Sequence, residues 1–172
     1  MNAENWRRYD IFLNPGEFFF GGEDVRVKTI LGSCVAVTLW HPQLHIGGMG
    51  HFMLPSRGRG SPRQDDTAWD GKYADEMMHL FMEAIRSAQT RPRDYEIKLF
   101  GGGNMFPGLR SHSTQGGVSA RNVHAARALM AAYAFKVAGE HLGGEGHRSL
   151  VFDLADGAVY LSYRSAITRG DR

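Results

Sequence analysis

Val25-Arg26-Val27-Lys28-Thr29-Ile30-Leu31-Gly32-Ser33-Cys34-Val35-Ala36-Val37-Thr38-Leu39-Trp40, continued after a short gap by His45-Ile46-Gly47-Gly48-Met49-Gly50-His51-Phe52-Met53-Leu54, carries three strand patterns that differ in how they are buried. Residues 25–29 alternate apolar and polar side chains, which predicts a half-buried strand. Leu31-Gly32-Ser33 breaks it. Residues 34–40 then run as a continuous, Val-rich apolar segment, the pattern of a strand buried on both faces. His41-Pro42 ends that strand, and residues 45–54 predict another with glycines in its middle. Interior strand glycines mark a bulge or a place where another backbone comes close. On this reading Cys34 and His51 fall on neighbouring strands, so contact between them is feasible.

Working outward, Ile11-Phe12-Leu13 reads as a short strand closed by the turn Asn14-Pro15-Gly16, and Phe18-Phe19-Phe20 is halted by Gly21-Gly22. Residues 55–70 are mostly Ser, Arg, Gly, Pro and Asp, which predicts an exposed loop. Residues 71–87 predict a helix with Tyr73, Met77, Leu80, Phe81, Ala84 and Ile85 on its core face, and Asp75, Glu76 and Glu83 elsewhere. A strand over 95–100 runs into Gly101-Gly102-Gly103-Asn104. Ser119 is a suitable N-cap for a second helix reaching Val137, with Val123, Ala126, Met130 and Tyr133 inward and Gly139 as its stop. Apolar runs at 150–154 and 159–163 flank Ala155-Asp156-Gly157, a hairpin signal. Strands first, helices interleaved later and a closing hairpin predict an α+β fold, a layered sandwich of mixed β-sheet and helices, as one domain over residues 1–172.

The bulk properties narrow the class. A chain of 172 residues, 42% hydrophobic and 22% charged, is ordinary for a globular protein with a real core. One cysteine excludes an internal disulfide framework and fits a reducing compartment. The first residues, MNAENWRRYD, lack the apolar centre of a signal peptide, and no apolar run approaches the roughly 18 residues of a membrane span. A cytoplasmic protein with no membrane insertion is the expectation. Net charge is only +2 although the pI is about 8.8. Arg57, Arg59 and Arg63 read as a solvated loop, and no nucleic-acid-binding signature is present.

Several chemistries can be set aside. The Gly101-Gly102-Gly103-Asn104 turn lacks GxxxxGK[ST], and Pro107-Gly108 intervenes before any helix, so it reads as a structural turn rather than a phosphate loop. Eight histidines are present without HExxH, a His-x-His pair or CxxC. His41 and His45 flank Pro42 and cannot share a helical face, and His112, His124, His141 and His147 read as isolated and exposed. No metal and no cofactor is expected. Gly32-Ser33-Cys34 is no GxSxG elbow. What remains is Cys34 with His51. A thiol is only a few per cent ionised at neutral pH and needs a base, which histidine supplies. The pair alone leaves two readings open, a nucleophile with its base or a buried thiol beside a strand histidine.

Six motifs in order resemble the chemoreceptor glutamine deamidase family, CheD. They are Thr29-Ile30-Leu31-Gly32-Ser33-Cys34-Val35-Ala36-Val37 with Gly47-Gly48-Met49-Gly50-His51-Phe52-Met53-Leu54-Pro55, Asn14-Pro15-Gly16-Glu17, Lys72-Tyr73-Ala74-Asp75, Gly101-Gly102-Gly103-Asn104-Met105-Phe106, Ala120-Arg121-Asn122-Val123, and Gly143-Gly144 with the strand after it. The likeness spans about residues 11–163. Val118-Ser119 stands where the family carries Ile-Gly, and His147 where glycine is common. The resemblance implies a cytoplasmic enzyme of bacterial chemotaxis, a protein-glutamine glutaminase that deamidates glutamines on the cytoplasmic helices of methyl-accepting chemoreceptors. Its catalytic layout is similar to that of the cytotoxic necrotising factor toxins. By that resemblance Cys34 is the nucleophile, His51 the general base and acid, and Thr29 the residue orienting His51. Backbone N–H groups at Ser33 and Cys34 could form the oxyanion hole. It also implies a receptor methylesterase side activity and, as a second partner, a CheC-type chemotaxis phosphatase. The alternative is a non-catalytic adaptor regulating that phosphatase.

Overall fold

The computed structural model describes residues 8–58, 68–108 and 117–165. In chain order these form β1 (Tyr9–Phe12), β2 (Phe18–Gly21), β3 (Val25–Leu31), β4 (Val35–His41), β5 (Ile46–Phe52), α1 (Ala74–Ser87), β6 (Glu96–Gly101), α2 (Val118–Ala132), β7 (Val137–Leu142), β8 (His147–Asp153) and β9 (Val159–Arg164). The strands make two sheets, one ordered β1-β3-β8-β9 and the other β2-β5-β4-β6-β7. Both are mixed, because β1 runs parallel to β3 and β7 parallel to β6 while the other pairs are antiparallel.

Side-chain periodicity explains the layers. In β4 every residue but Trp40 is buried. Val35, Val37 and Leu39 point to the helices, where they pack with Met77, Phe81 and Ile85 of α1 and Ala126 and Met130 of α2. Ala36, on the opposite face, joins Val27 and Leu31 of β3, Met49 of β5 and Leu150 and Phe152 of β8 in a second core between the sheets. The molecule is thus layered sheet, sheet, helices, the α+β sandwich of mixed sheet expected from the sequence. Burying each such Val, Leu or Phe side chain contributes about 1.5–3 kcal/mol. The central position of β4 therefore makes it the anchor of both cores.

The glycines of β5 are sites of close approach. A Cβ on Gly48 would lie 2.1 Å from the Phe19 carbonyl oxygen, and one on Gly47 2.1 Å from that of Leu39. The strand can therefore sit between its two neighbours only with glycine there.

Several expectations need correction. The second helix does not begin with a Ser119 cap or reach Val137. It spans Val118–Ala132 behind Gly117, which offers no side-chain cap. Ala134 adopts a left-handed backbone at φ 56°, which turns the chain so that Phe135 is buried and Val137 pairs with Ile97 of β6. Gly139 accordingly lies inside β7 rather than at a helix end. The first helix starts at Ala74, and its Glu76 is buried, accepting bonds from the Arg57 guanidinium and the Asp70 N–H. Arg57 is therefore ion-paired and stacked over Tyr73 rather than a solvated loop residue. The Asp156-Gly157 hairpin joins β8 to β9, but through a wider turn in which Asp153 accepts from the Gly157 N–H and donates to the Ala158 carbonyl. Arg59, Arg63 and His112, and much of the 55–70 loop, lie outside the described residues.

Candidate active site

Thr29 and His51 meet at one end of the space between the sheets, and Cys34 lies just before the neighbouring strand, its thiol making no hydrogen bond to His51 Nε2. Ala36 lies directly opposite His51 in the β4–β5 ladder. Cys34 stands immediately before β4 and packs into the same inter-sheet core as Ala36, the residue opposite His51. Cys34 is half-buried and packs against the inter-sheet core. Thr29 comes from the opposite sheet, on the inward face of β3.

Thr29 and His51 are both 1% exposed and are hydrogen-bonded to each other. The Thr29 Oγ1 lies 2.8 Å from the Leu13 carbonyl oxygen and 2.9 Å from His51 Nδ1. A carbonyl can only accept, so the single hydroxyl proton of Thr29 goes to Leu13. The oxygen must then accept from His51, which fixes the proton on Nδ1 and leaves Nε2 as the bare acceptor nitrogen of the neutral ring. His51 Nε2 is buried and makes no hydrogen bond among the described residues. An idle basic nitrogen at the end of an oriented imidazole is what a proton acceptor requires.

Electrostatics agree with a neutral ring. Burial pushes the His51 pKa down to about 4, against smaller upward influences from the Leu13 carbonyl and the Glu17 carboxylate. Burial likewise pushes the Cys34 thiol up. The resting pair is therefore thiol and imidazole, not thiolate and imidazolium.

The backbone around both residues is pinned. His51 donates its N–H to the Glu17 carbonyl and accepts from the Gly16 N–H, so the Asn14-Pro15-Gly16-Glu17 turn grips the strand at the imidazole. Glu17 Oε2 accepts from the Asn14 N–H at 2.7 Å, which closes that turn. On the thiol side three consecutive carbonyls are held. Gly103 N–H donates to Gly32, Asn122 Nδ2 to Ser33 at 3.0 Å, and Gly102 N–H to Cys34. Asn122 Nδ2 also donates to the Met53 carbonyl at 2.7 Å. The Gly101-Gly102-Gly103 turn is thus a clasp on the cysteine loop. Gly101 needs its φ of 114°, and a Cβ there would lie 2.2 Å from the Cys34 carbonyl oxygen.

Sequence reasoning missed Leu13, Glu17 and Asn122 as parts of this assembly. Leu13 acts through its carbonyl, and Glu17 grips His51 through its own carbonyl as well as by its carboxylate, and no side-chain pattern reports a backbone group. Asn122 did carry a signal, as a polar residue one turn before Ala126 on the buried stripe of α2. Among the isolated histidines, His124 is exposed, but His141 is half-buried and accepts at Nδ1 from Arg148 Nε at 2.8 Å. Among the described residues no group of three His, Cys, Asp or Glu side chains could hold a metal ion. No helix there is long and apolar enough to cross a membrane.

A thiol and a neutral imidazole at the same inter-sheet core, inside an α+β sandwich, are the groups that acyl transfer through a cysteine requires. Residues 53–163 match the family model described as CheD chemotactic sensory transduction. The chain is 45% identical over 155 residues to a protein of Pseudomonas syringae pv. tomato, covering 90% of this chain and 89% of that one. It is 44% identical to a protein of Dechloromonas aromatica, covering 95% and 92% of the two chains. A protein of Leptospira interrogans is 36% identical, with 88% and 91% covered. All three relatives bear the name probable chemoreceptor glutamine deamidase CheD, with a number in the second and third. The chain belongs to the CheD family.

Proposed function

We propose that this chain is a cysteine-dependent deamidase, active as a single cytoplasmic domain, that converts glutamine side chains on the cytoplasmic helices of chemoreceptors to glutamate. The names of its relatives support the substrate class. The observation that carries the chemistry is the bare, buried Nε2 of His51, its other nitrogen committed to Thr29.

Cys34 Sγ attacks the carboxamide carbon while its proton passes to His51 Nε2. Transfer in the resting site is uphill, since burial disfavours both ions, so proton loss and bond formation proceed together. The carbonyl oxygen takes up the negative charge, and the N–H groups of Ser33 and Cys34 stabilise it. Their orientation is set by the clasped carbonyls of residues 32 and 33, each of which shares a peptide plane with one of these N–H groups. Collapse breaks the C–N bond as His51 Nε2–H protonates the departing nitrogen, releasing ammonia and leaving a thioester. Water then gives a proton to Nε2 and attacks the thioester. The thiolate leaves, recovers that proton, and glutamate remains. Thr29 keeps the imidazole in one tautomer throughout. On a glutamate methyl ester the same first step would expel methanol, so a methylesterase side activity belongs to the same proposal.

Incubating the protein with a receptor cytoplasmic fragment tests this. Ammonia release with matching glutamate at defined sites is expected. Binding without either product points instead to an adaptor, for which a CheC-type phosphatase is the partner to try.

A further inference from the structure

We infer that Asn122 is a positioning residue for this reaction, a side-chain staple that holds the cysteine loop and the histidine strand in register and aims the Cys34 N–H. The inference rests on Cys34 and His51 being nucleophile and base.

Asn122 is 0% exposed and sits on the second turn of α2, on the stripe it shares with Ala126 and Met130. Its amide nitrogen has two protons and uses both, one on the carbonyl of Ser33 and one on that of Met53. Those residues flank the site closely, one before Cys34 and two after His51. They also lie where the ladder stops, since the last pair of β4 and β5 at this end is Val35 with Phe52. Strand ends separate easily once ladder bonds run out, and Asn122 supplies a bridge at the next position. It reaches there from a helix packed into the core, which makes the bridge rigid.

The bond to Ser33 has a second consequence. A trans peptide holds its C=O and N–H antiparallel. Fixing the Ser33 carbonyl toward α2 therefore directs the Cys34 N–H away from the helix, on the side where the oxyanion would form. Gly102 fixes the following peptide through the Cys34 carbonyl, so both planes flanking the nucleophile are set.

The remaining atom argues that these bonds are the reason for the residue. Asn122 Oδ1 is buried and has no hydrogen-bond partner among the described residues. An unpaired buried acceptor is costly, and an apolar side chain would avoid it while leaving two carbonyls unserved. A residue that merely filled space would not need the amide.

The test uses Asn122→Ala in the full chain, with receptor-fragment deamidation and, separately, the pH dependence of Cys34 alkylation by iodoacetamide. Positioning predicts a kcat lower by up to about 100-fold, because a misplacement near 1 Å costs that much. KM should stay near the native value and the far-ultraviolet spectrum unchanged. The alkylation midpoint should fall toward the ordinary thiol value of about 8.5 as the loop relaxes and water reaches Sγ. Asn122→Ser, which can serve one carbonyl, should recover part of kcat, and it carries the test if the alanine variant does not fold. A folded variant with native kcat and native alkylation profile overturns the inference. Should the native protein fail to deamidate, the deamidase reading falls, and the alkylation profile alone decides for or against the staple.

Discussion

Replacing Thr29 by valine keeps the β-branched shape on β3 and removes one oxygen. That oxygen donates to the Leu13 carbonyl at 2.8 Å and accepts from His51 Nδ1–H at 2.9 Å, in a place where both side chains are 1% exposed. Water cannot readily replace it. Leaving buried polar groups unpaired costs about 1–3 kcal/mol, so urea unfolding should show a loss of that size. The effect on rate is separate. With the Nδ1–H bond gone, the imidazole can carry its proton on either nitrogen and rotate away from the thiol. Losing an orienting bond worth about 1.4 kcal/mol costs tenfold in rate, and misplacement of the ring extends this to about 100-fold. Deamidation followed by mass spectrometry under single-turnover conditions reads it directly. Thr29→Ser keeps the hydroxyl and should retain most activity. If valine at this position leaves the rate intact, or serine is impaired as severely as valine, the tautomer argument is refuted.

Further predictions follow from the same geometry. Because His51 stays neutral down to about pH 4, kcat/KM should keep its acid limb near that value instead of near the ordinary 6.5. The same depression bears on stability. The unfolded chain takes a proton at about 6.5 and the folded one only at about 4, so stability present above pH 6.5 falls as pH drops toward 4, by about 3 kcal/mol. The gap in urea midpoint between the native protein and His51→Ala should narrow as pH falls through that window, and parallel curves would contradict the buried neutral ring. Cys34 alkylation in the native protein should have a midpoint above the ordinary thiol value, since burial raises it. A reactive plateau at acidic pH would reveal a resting ion pair. Gly48→Ala forces a methyl against the Phe19 carbonyl and should destabilise by about 3 kcal/mol or more, measurable as a lower thermal midpoint.

The layered α+β fold was legible because periodicity reports burial directly. The two-residue alternation at 25–29 and the unbroken run at 34–40 separate a strand with one solvated face from a strand between two cores, and the glycines of β5 announce close neighbours. The end of the second helix was illegible. Residues 131–137 carry good helix formers, and only pairing with the edge of β6, together with burial of Phe135, turns them into a bend and β7. Glu76 and Arg57 misled for a related reason. A charged side chain reads as solvated until a partner from a distant segment is brought to it, as each is for the other. At the site, the motifs pointed to Cys34, His51 and Thr29. What they could not convey is the scaffolding by carbonyls and amides of Leu13, Gly16, Glu17, Gly102 and Gly103, because backbone groups are the same for every residue. Asn122 was readable in principle, as the polar member of an otherwise apolar helix stripe, but its two partners are 89 and 69 residues away in sequence.

Whether Cys34 is the nucleophile is read by comparing the native chain with Cys34→Ala on one receptor cytoplasmic fragment, with peptide mass spectrometry at matched times. Glutamine-to-glutamate conversion at discrete positions is expected from the native protein and none above background from the variant, with both equally folded. Conversion by Cys34→Ala at the native rate would contradict that role.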